Sequence, residues 1–238
     1  MGSSYFYLEF LLVWASLLGA KGFKNPAIFA LEYTLVPDAV YPTQLNQAAA
    51  GYAHVLSIVK DASRICVGGD SAGATLILSL LLHLAKSPEH HQNRPGLATL
   101  ISPWATLVSP KNQNTPSDYL NAETLHLYAR QYAGTKASLD DPLVSPGRCT
   151  ESEWWQQAAP SMGFSILFGE EEVFAPETRD LIATLEKAGT SVDVREEPGS
   201  IHAWPVATLF LSDSQAERQK GLKDIVDVIA ESMRDHSI

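Results

Sequence analysis

The stretch of this 238-residue sequence that most constrains its fold is Ile65-Cys66-Val67-Gly68-Gly69-Asp70-Ser71-Ala72-Gly73-Ala74. A short apolar run ends in glycines, turns on a serine and continues into the leucine-rich segment Thr75 to Leu84. The pattern is that of a strand, a tight turn and a helix, with the serine of Gly-x-Ser-x-Gly at the corner. Such a corner holds the serine in a strained backbone conformation that lifts its hydroxyl above the sheet edge. Gly69 and Gly73 flank Ser71, and side chains at either position are expected to collide where strand and helix cross. The helix also directs its first N–H groups at the serine, which favours negative charge there.

A strand-to-helix corner needs other strands beside it, and the sequence supplies candidates. Pro26 to Tyr33 is expected to form a buried strand. Pro42 opens a helix whose Leu45, Ala48, Ala49, Tyr52, Val55, Leu56 and Val59 follow the 3.6-residue period. The elbow helix is expected to end near Lys86 and Pro88. Leu97 to Ser102 forms a further short strand, as does Phe164 to Phe168, which ends at Gly169. Pro176 starts a helix with Leu181, Ile182 and Leu185 on its core face and Gly189 at its end. Val192 to Arg195 is a strand, and Leu222, Ile225, Val226, Ile229 and Met233 share one face of a last helix. Strands and helices in alternation imply an α/β fold: a three-layer sandwich with a mostly parallel sheet and helices on both faces. Residues 1–238 are expected to form a single domain, with a lid or wall insertion at about 109–160 where Pro, Asn, Ser and Asp are frequent. One helix is expected within it, over Ala122 to Tyr132. Trp154 and Trp155 are expected to pack that insertion onto the core.

Tyr5 to Ala20 is almost wholly apolar. It has no positively charged leader, carries Glu9 in its middle and is short for a membrane span, so it is expected to be a buried helix and the protein cytoplasmic. A net charge of −10 argues against nucleic acid or an anionic membrane as partner. Two cysteines build no disulfide framework. Cys66 is expected to be a buried thiol in a central strand, and Cys149 lies in a loop. No cluster has metal-ligand spacing, and His90-His91 is expected to be a solvated pair. Neither metal nor cofactor is implied.

A serine hydroxyl needs a base within hydrogen-bond reach to act as a nucleophile, and that base needs a carboxylate to hold its tautomer. Of seven histidines, His202 is the best placed, in a loop directly after the last strand. His54, His83 and His126 fall within helices and His236 in the tail. Glu170, Glu171 and Glu172 follow the preceding strand, which puts serine, acid and histidine in the chain order used by the α/β-hydrolase fold. Asp70 is expected to brace the turn, and Asp141, followed by Pro142, to sit in a structural turn.

From about Tyr5 to Trp204 the chain resembles the hormone-sensitive-lipase-like branch of the α/β-hydrolases, also called the alpha/beta hydrolase fold-3 group. Gly69-Asp70-Ser71-Ala72-Gly73 is that branch's form of the elbow. Glu32 to Pro37 followed by Tyr41-Pro42 is similar to its Tyr-Arg-Leu-Ala-Pro segment, with Thr34 in place of arginine. Ser102-Pro103-Trp104 and Asp141 to Pro146 are similar to further family segments. The resemblance implies a serine hydrolase of small or medium carboxylic esters, with Ser71 as nucleophile, His202 as base and Glu172 as the acid. It implies that turnover rises as the imidazole of His202 becomes neutral. The Ala72 N–H supplies one donor to the oxyanion. The family's other donors come from a His-Gly-Gly-Gly run, which is absent here: the chain starts at Met1-Gly2-Ser3-Ser4, where the family would have passed that loop. The chain is therefore expected to be either a fragment of a longer esterase or a short form kept as a non-catalytic binding module. One missing oxyanion donor typically costs ~10²–10³ in turnover. A sheet lacking its N-terminal strands leaves an edge that a second copy or another partner is expected to cover.

Overall fold

The computed structural model describes residues 4–87 and 90–234. Met1 to Ser3, Pro88, His236 and the side chains of His90 and His91 lie outside the described residues. The elements are α1 (Ser4–Ala20), α2 (Thr43–Val59), β1 (Cys66–Asp70), α3 (Ala72–Leu84), α4 (His90–Asn93), β2 (Leu97–Ile101), α5 (Ala122–Ala133) and α6 (Ser152–Ala158). They continue with β3 (Phe164–Gly169), α7 (Ala175–Lys187), β4 (Val192–Glu197), α8 (Trp204–Leu211), α9 (Gln215–Arg218) and α10 (Lys220–Met233). The four strands form one parallel sheet in the order β1-β2-β3-β4.

Alternation along the strands divides the core between two faces. Ala98, Leu100, Phe164, Ile166 and Phe168 pack with α2, α3, α6 and α7, whereas Leu97, Ile101 and Leu167 pack with α1, α8 and α10. Helices thus cover both faces, as the parallel sheet requires. Helix α3 is apolar nearly all round because it is buried between the sheet, α2 and α6. Trp155 is fully buried with its indole N–H donating to the Cys149 carbonyl, and the Trp154 N–H donates to Leu82 at the end of α3. The paired tryptophans therefore pack the 109–160 segment onto the core.

Three expectations require correction. Pro26 to Tyr33 forms no strand: it has no regular secondary structure and is largely exposed, with Phe29 51% accessible, and lies against α2 at Gly51 through Leu31 and Phe29. A strand exists only where a ladder partner takes its N–H and C=O groups, and no strand of the sheet pairs with this segment. Consequently β1 is an edge strand among the described residues, and Cys66 is a partly covered thiol near Thr99 rather than a central one. Finally, α1 is not buried all round. Phe10, Tyr7, Trp14 and Leu17 face α8, α10 and the sheet, while Tyr5 is 85% and Leu12 62% accessible because no described element covers that side. Among the described residues no helix is long and apolar enough to cross a membrane.

Candidate active site

In a parallel sheet all strands end at the same edge, and the residues of interest lie immediately past those ends. Ser71 follows β1, Ser102 follows β2, Glu172 lies past β3 and His202 past β4. Backbone hydrogen bonds lace these loops together. The Ser71 N–H donates to Ile101 O (2.9 Å), the Trp104 N–H to Ser71 O (3.3 Å) and the Ser102 N–H to Leu167 O (2.7 Å). Between the acid and histidine loops, the Glu170 N–H donates to Glu197 O and the Glu171 N–H to Ser200 O, both at 3.0 Å. Gly169 permits that approach: a Cβ there would lie 2.3 Å from Ser200 O.

Ser71 has φ +53° and ψ −117°, a strained conformation for a residue with a side chain, and α3 begins at the next residue, Ala72. The first N–H groups of α3 have no partner within its own ladder. Gly69 is sterically required, since a Cβ there would meet the Gly73 carbonyl carbon at 2.5 Å and Ala74 N at 2.8 Å. Gly73 is not, because a Cβ at that position meets nothing within 4 Å. The expected collision is therefore one-sided, with the Gly73 backbone as its target. Gly69→Ala is expected to destabilise the protein by about 2–3 kcal/mol, lowering its melting temperature by roughly 4–12 °C. Gly73→Ala should leave the melting temperature unchanged or raise it, because alanine is the better helix former. Equal losses in thermal scans would contradict this account of the corner.

Asp70 links the elbow to α1. Its Oδ2 accepts from the Tyr7 hydroxyl at 2.7 Å, and burial raises its carboxyl above the ordinary range despite that bond. Asp141 holds a turn: its Oδ1 accepts from the Leu143 N–H and its carbonyl from Val144 and Ser145.

Of the three glutamates after β3, Glu170 and Glu171 are exposed and Glu172 is 2% accessible. Glu172 Oε2 lies 4.0 Å from His202 Nδ1, too far for a hydrogen bond. His202 Nδ1 and Glu172 Oε1 are both buried without a hydrogen-bond partner among the described residues. Burial pushes the Glu172 carboxyl up to about 8 and the His202 imidazole down to about 3, since each charged form loses its water. The imidazole packs in T-shaped contact with Phe174 (5.1 Å between ring centroids) and Tyr119 (5.9 Å), and the Tyr119 hydroxyl donates to the His202 carbonyl.

Several contributors escaped the sequence reading. Asp118, in the 109–160 segment, accepts from the Val173 N–H at 2.8 Å. Beside it, Thr115 donates to the Glu171 carbonyl and Ser117 to the Glu171 carboxylate. Ser102 donates to Glu172 Oε2 at 2.6 Å and accepts from the Ala203 N–H at 2.8 Å. The only signal for Ser102 was its place in Ser-Pro-Trp at a strand end. Asp118 and Tyr119 carried none, because their partners lie more than fifty residues away. Among the described residues no group of His, Cys, Asp and Glu could hold a metal ion.

A family model described as "alpha/beta hydrolase fold" matches residues 24–206. The chain belongs to that family. It is 31% identical over 185 residues to an acetyl-hydrolase of Streptomyces hygroscopicus, a match covering 75% of this chain and 57% of that protein. It is also 24% identical over 206 residues to steryl acetyl hydrolase 1 of Saccharomyces cerevisiae, covering 78% and 48%. The chain thus spans about half the length of these curated relatives. Among solved structures, carboxyl esterase 2 of Tuber melanosporum superposes with a TM-score of 0.82 at 22% identity, covering 98% of this chain and 75% of that one. A hormone-sensitive lipase from a metagenome library superposes with a TM-score of 0.75 at 25% identity, covering 93% and 72%. This α/β-hydrolase therefore bears out the resemblance to the hormone-sensitive-lipase-like branch.

Proposed function

We propose that this α/β-hydrolase cleaves carboxylic esters through an acyl-enzyme on Ser71. The observation that carries the reading is the strained serine at the strand-to-helix corner, laced at one sheet edge to loops bearing a buried Glu172–His202 pair. With Nδ1 of His202 turned to Glu172, Nε2 serves the serine. Ser71 Oγ attacks the acyl carbon as His202 takes its proton, and the Ala72 N–H donates to the carbonyl oxygen as it becomes anionic. Glu172 stabilises the imidazolium. His202 then gives the proton to the departing alcohol, leaving the acyl group on Ser71. Water attacks that ester with His202 as base, and the carboxylic acid leaves as Ser71 regains its proton.

The curated relatives named above are both acetyl hydrolases by name, one of them a steryl acetyl hydrolase, which supports an acetate ester of a larger alcohol as substrate. Within residues 109–160, Tyr119 supports the reading of that segment as a wall over the histidine.

The sequence implies an acid limb set by His202; burial lowers that imidazole to about 3, so the limb expected at neutral to alkaline pH is set by another group. Glu172 is the group that titrates there. As pH rises through about 8 it loses its proton, the orienting carboxylate forms, and ester hydrolysis increases. A fluorophosphonate probe is expected to label Ser71, at a rate that rises through the same range. A well-folded protein that stays unlabelled at every pH would instead indicate a binding module on the hydrolase scaffold.

A further inference from the structure

Ser102 is fully buried, sits one residue past β2 and has φ +46°, in the left-handed region that favours glycine. Its backbone N–H reaches β3 at Leu167 O. Its hydroxyl accepts from the Ala203 N–H, the residue after His202, and donates its single hydrogen to Glu172 Oε2. A serine hydroxyl has one hydrogen to give. With a lone pair taken by the Ala203 N–H, the order Ala203 N–H to Ser102 O–H to Glu172 is directional. A strained backbone kept at a buried site, where glycine would relieve it, indicates that the hydroxyl is used.

We propose that Ser102 is a positioning residue, whose hydroxyl ties the Glu172 carboxylate to the backbone beside His202 and so holds it toward the imidazole. The inference rests on reading Glu172 and His202 as the acid and base of the site. Several groups act on Glu172 from the elements packed around it. Burial and the Asp118 carboxylate oppose its ionisation, while the donors Ser102 and Gly169 N–H and the Arg179 guanidinium of α7 favour it. Tyr119 and His202 complete the surroundings. Of the Ser102 and Gly169 donors to Glu172 Oε2, Ser102 also accepts from the histidine loop, so it couples ionisation of the acid to the position of the base.

Ser102→Gly removes the hydroxyl while easing the backbone, so the variant is expected to fold, with thermal melting as the control. The carboxyl resonance of Glu172, followed through a pH titration with ¹³C-labelled glutamate, is expected to titrate about one to two pH units higher than in the wild type. Exchange of the Ala203 amide should quicken. Hydrolysis of an acetate ester at pH 7 should fall by about 10- to 100-fold and recover toward the wild-type rate at alkaline pH. A merely structural role would lower the rate equally at all pH values. An unmoved Glu172 titration in a folded variant overturns the proposal. Should the wild type resist fluorophosphonate, the hydrolase reading fails by itself, and the Glu172 titration still decides the role of Ser102.

Discussion

Ser71→Ala is expected to lower ester hydrolysis by about 10⁴- to 10⁶-fold and to abolish fluorophosphonate labelling. The nucleophile and its base act as a unit, so removing the hydroxyl forfeits nearly all that the pair contributes. The substitution deletes one partly accessible oxygen whose side chain makes no hydrogen bond that holds the corner. The corner is held instead by backbone bonds from Ser71 N to Ile101 O and from Trp104 N to Ser71 O, which alanine retains. Alanine keeps the φ of +53° at a strain similar to that of serine, so the melting temperature should move little. Initial rates with an acetate ester, alongside a thermal scan, test both parts. A folded variant with more than a tenth of wild-type turnover would remove Ser71 from the mechanism.

Glu172→Gln is expected to cost about 10⁴-fold in turnover, as when the acid of a serine triad is replaced by its amide. The amide is nearly isosteric and its oxygen still accepts from Ser102 and Gly169 N–H, so the loops stay assembled. It also removes a charge from a site where burial opposes one, so stability should hold or rise. A large loss of activity with no loss of stability separates the catalytic from the structural role. Glu170→Gln and Glu171→Gln should change turnover by no more than about threefold, since both side chains are exposed and their contacts are to a backbone N–H and to Ser117. Equal losses among the three glutamates would reject the assignment of Glu172.

Much of this was legible because the controlling interactions are local or periodic. The corner at Ser71 is a pattern of five residues, and its strand and helix follow from the apolar runs on either side. Helices α2, α7 and α10 follow from their 3.6-residue periods and from Pro42, Pro176 and Gly189 near their ends. Of the three adjacent glutamates after β3, the resemblance singled out Glu172, and it is the one of the three that the fold buries.

What tertiary structure alone decided involves partners far apart in sequence. Pro26 to Tyr33 has the composition of a strand, but a strand needs a neighbour, and among the described residues no strand pairs with it. Helix α1 is apolar but for a few positions, yet its exposure depends on which elements reach it. The hydroxyl of Ser102 spans 70 residues to Glu172 and 101 to Ala203, and Asp118 spans 55 to Val173. Local sequence determined which chemical groups stand at the strand ends, because turn geometry and apolar periodicity act over a few residues. The fold determined which of those groups are stripped of water and brought together, because burial and ionisation depend on everything packed around them.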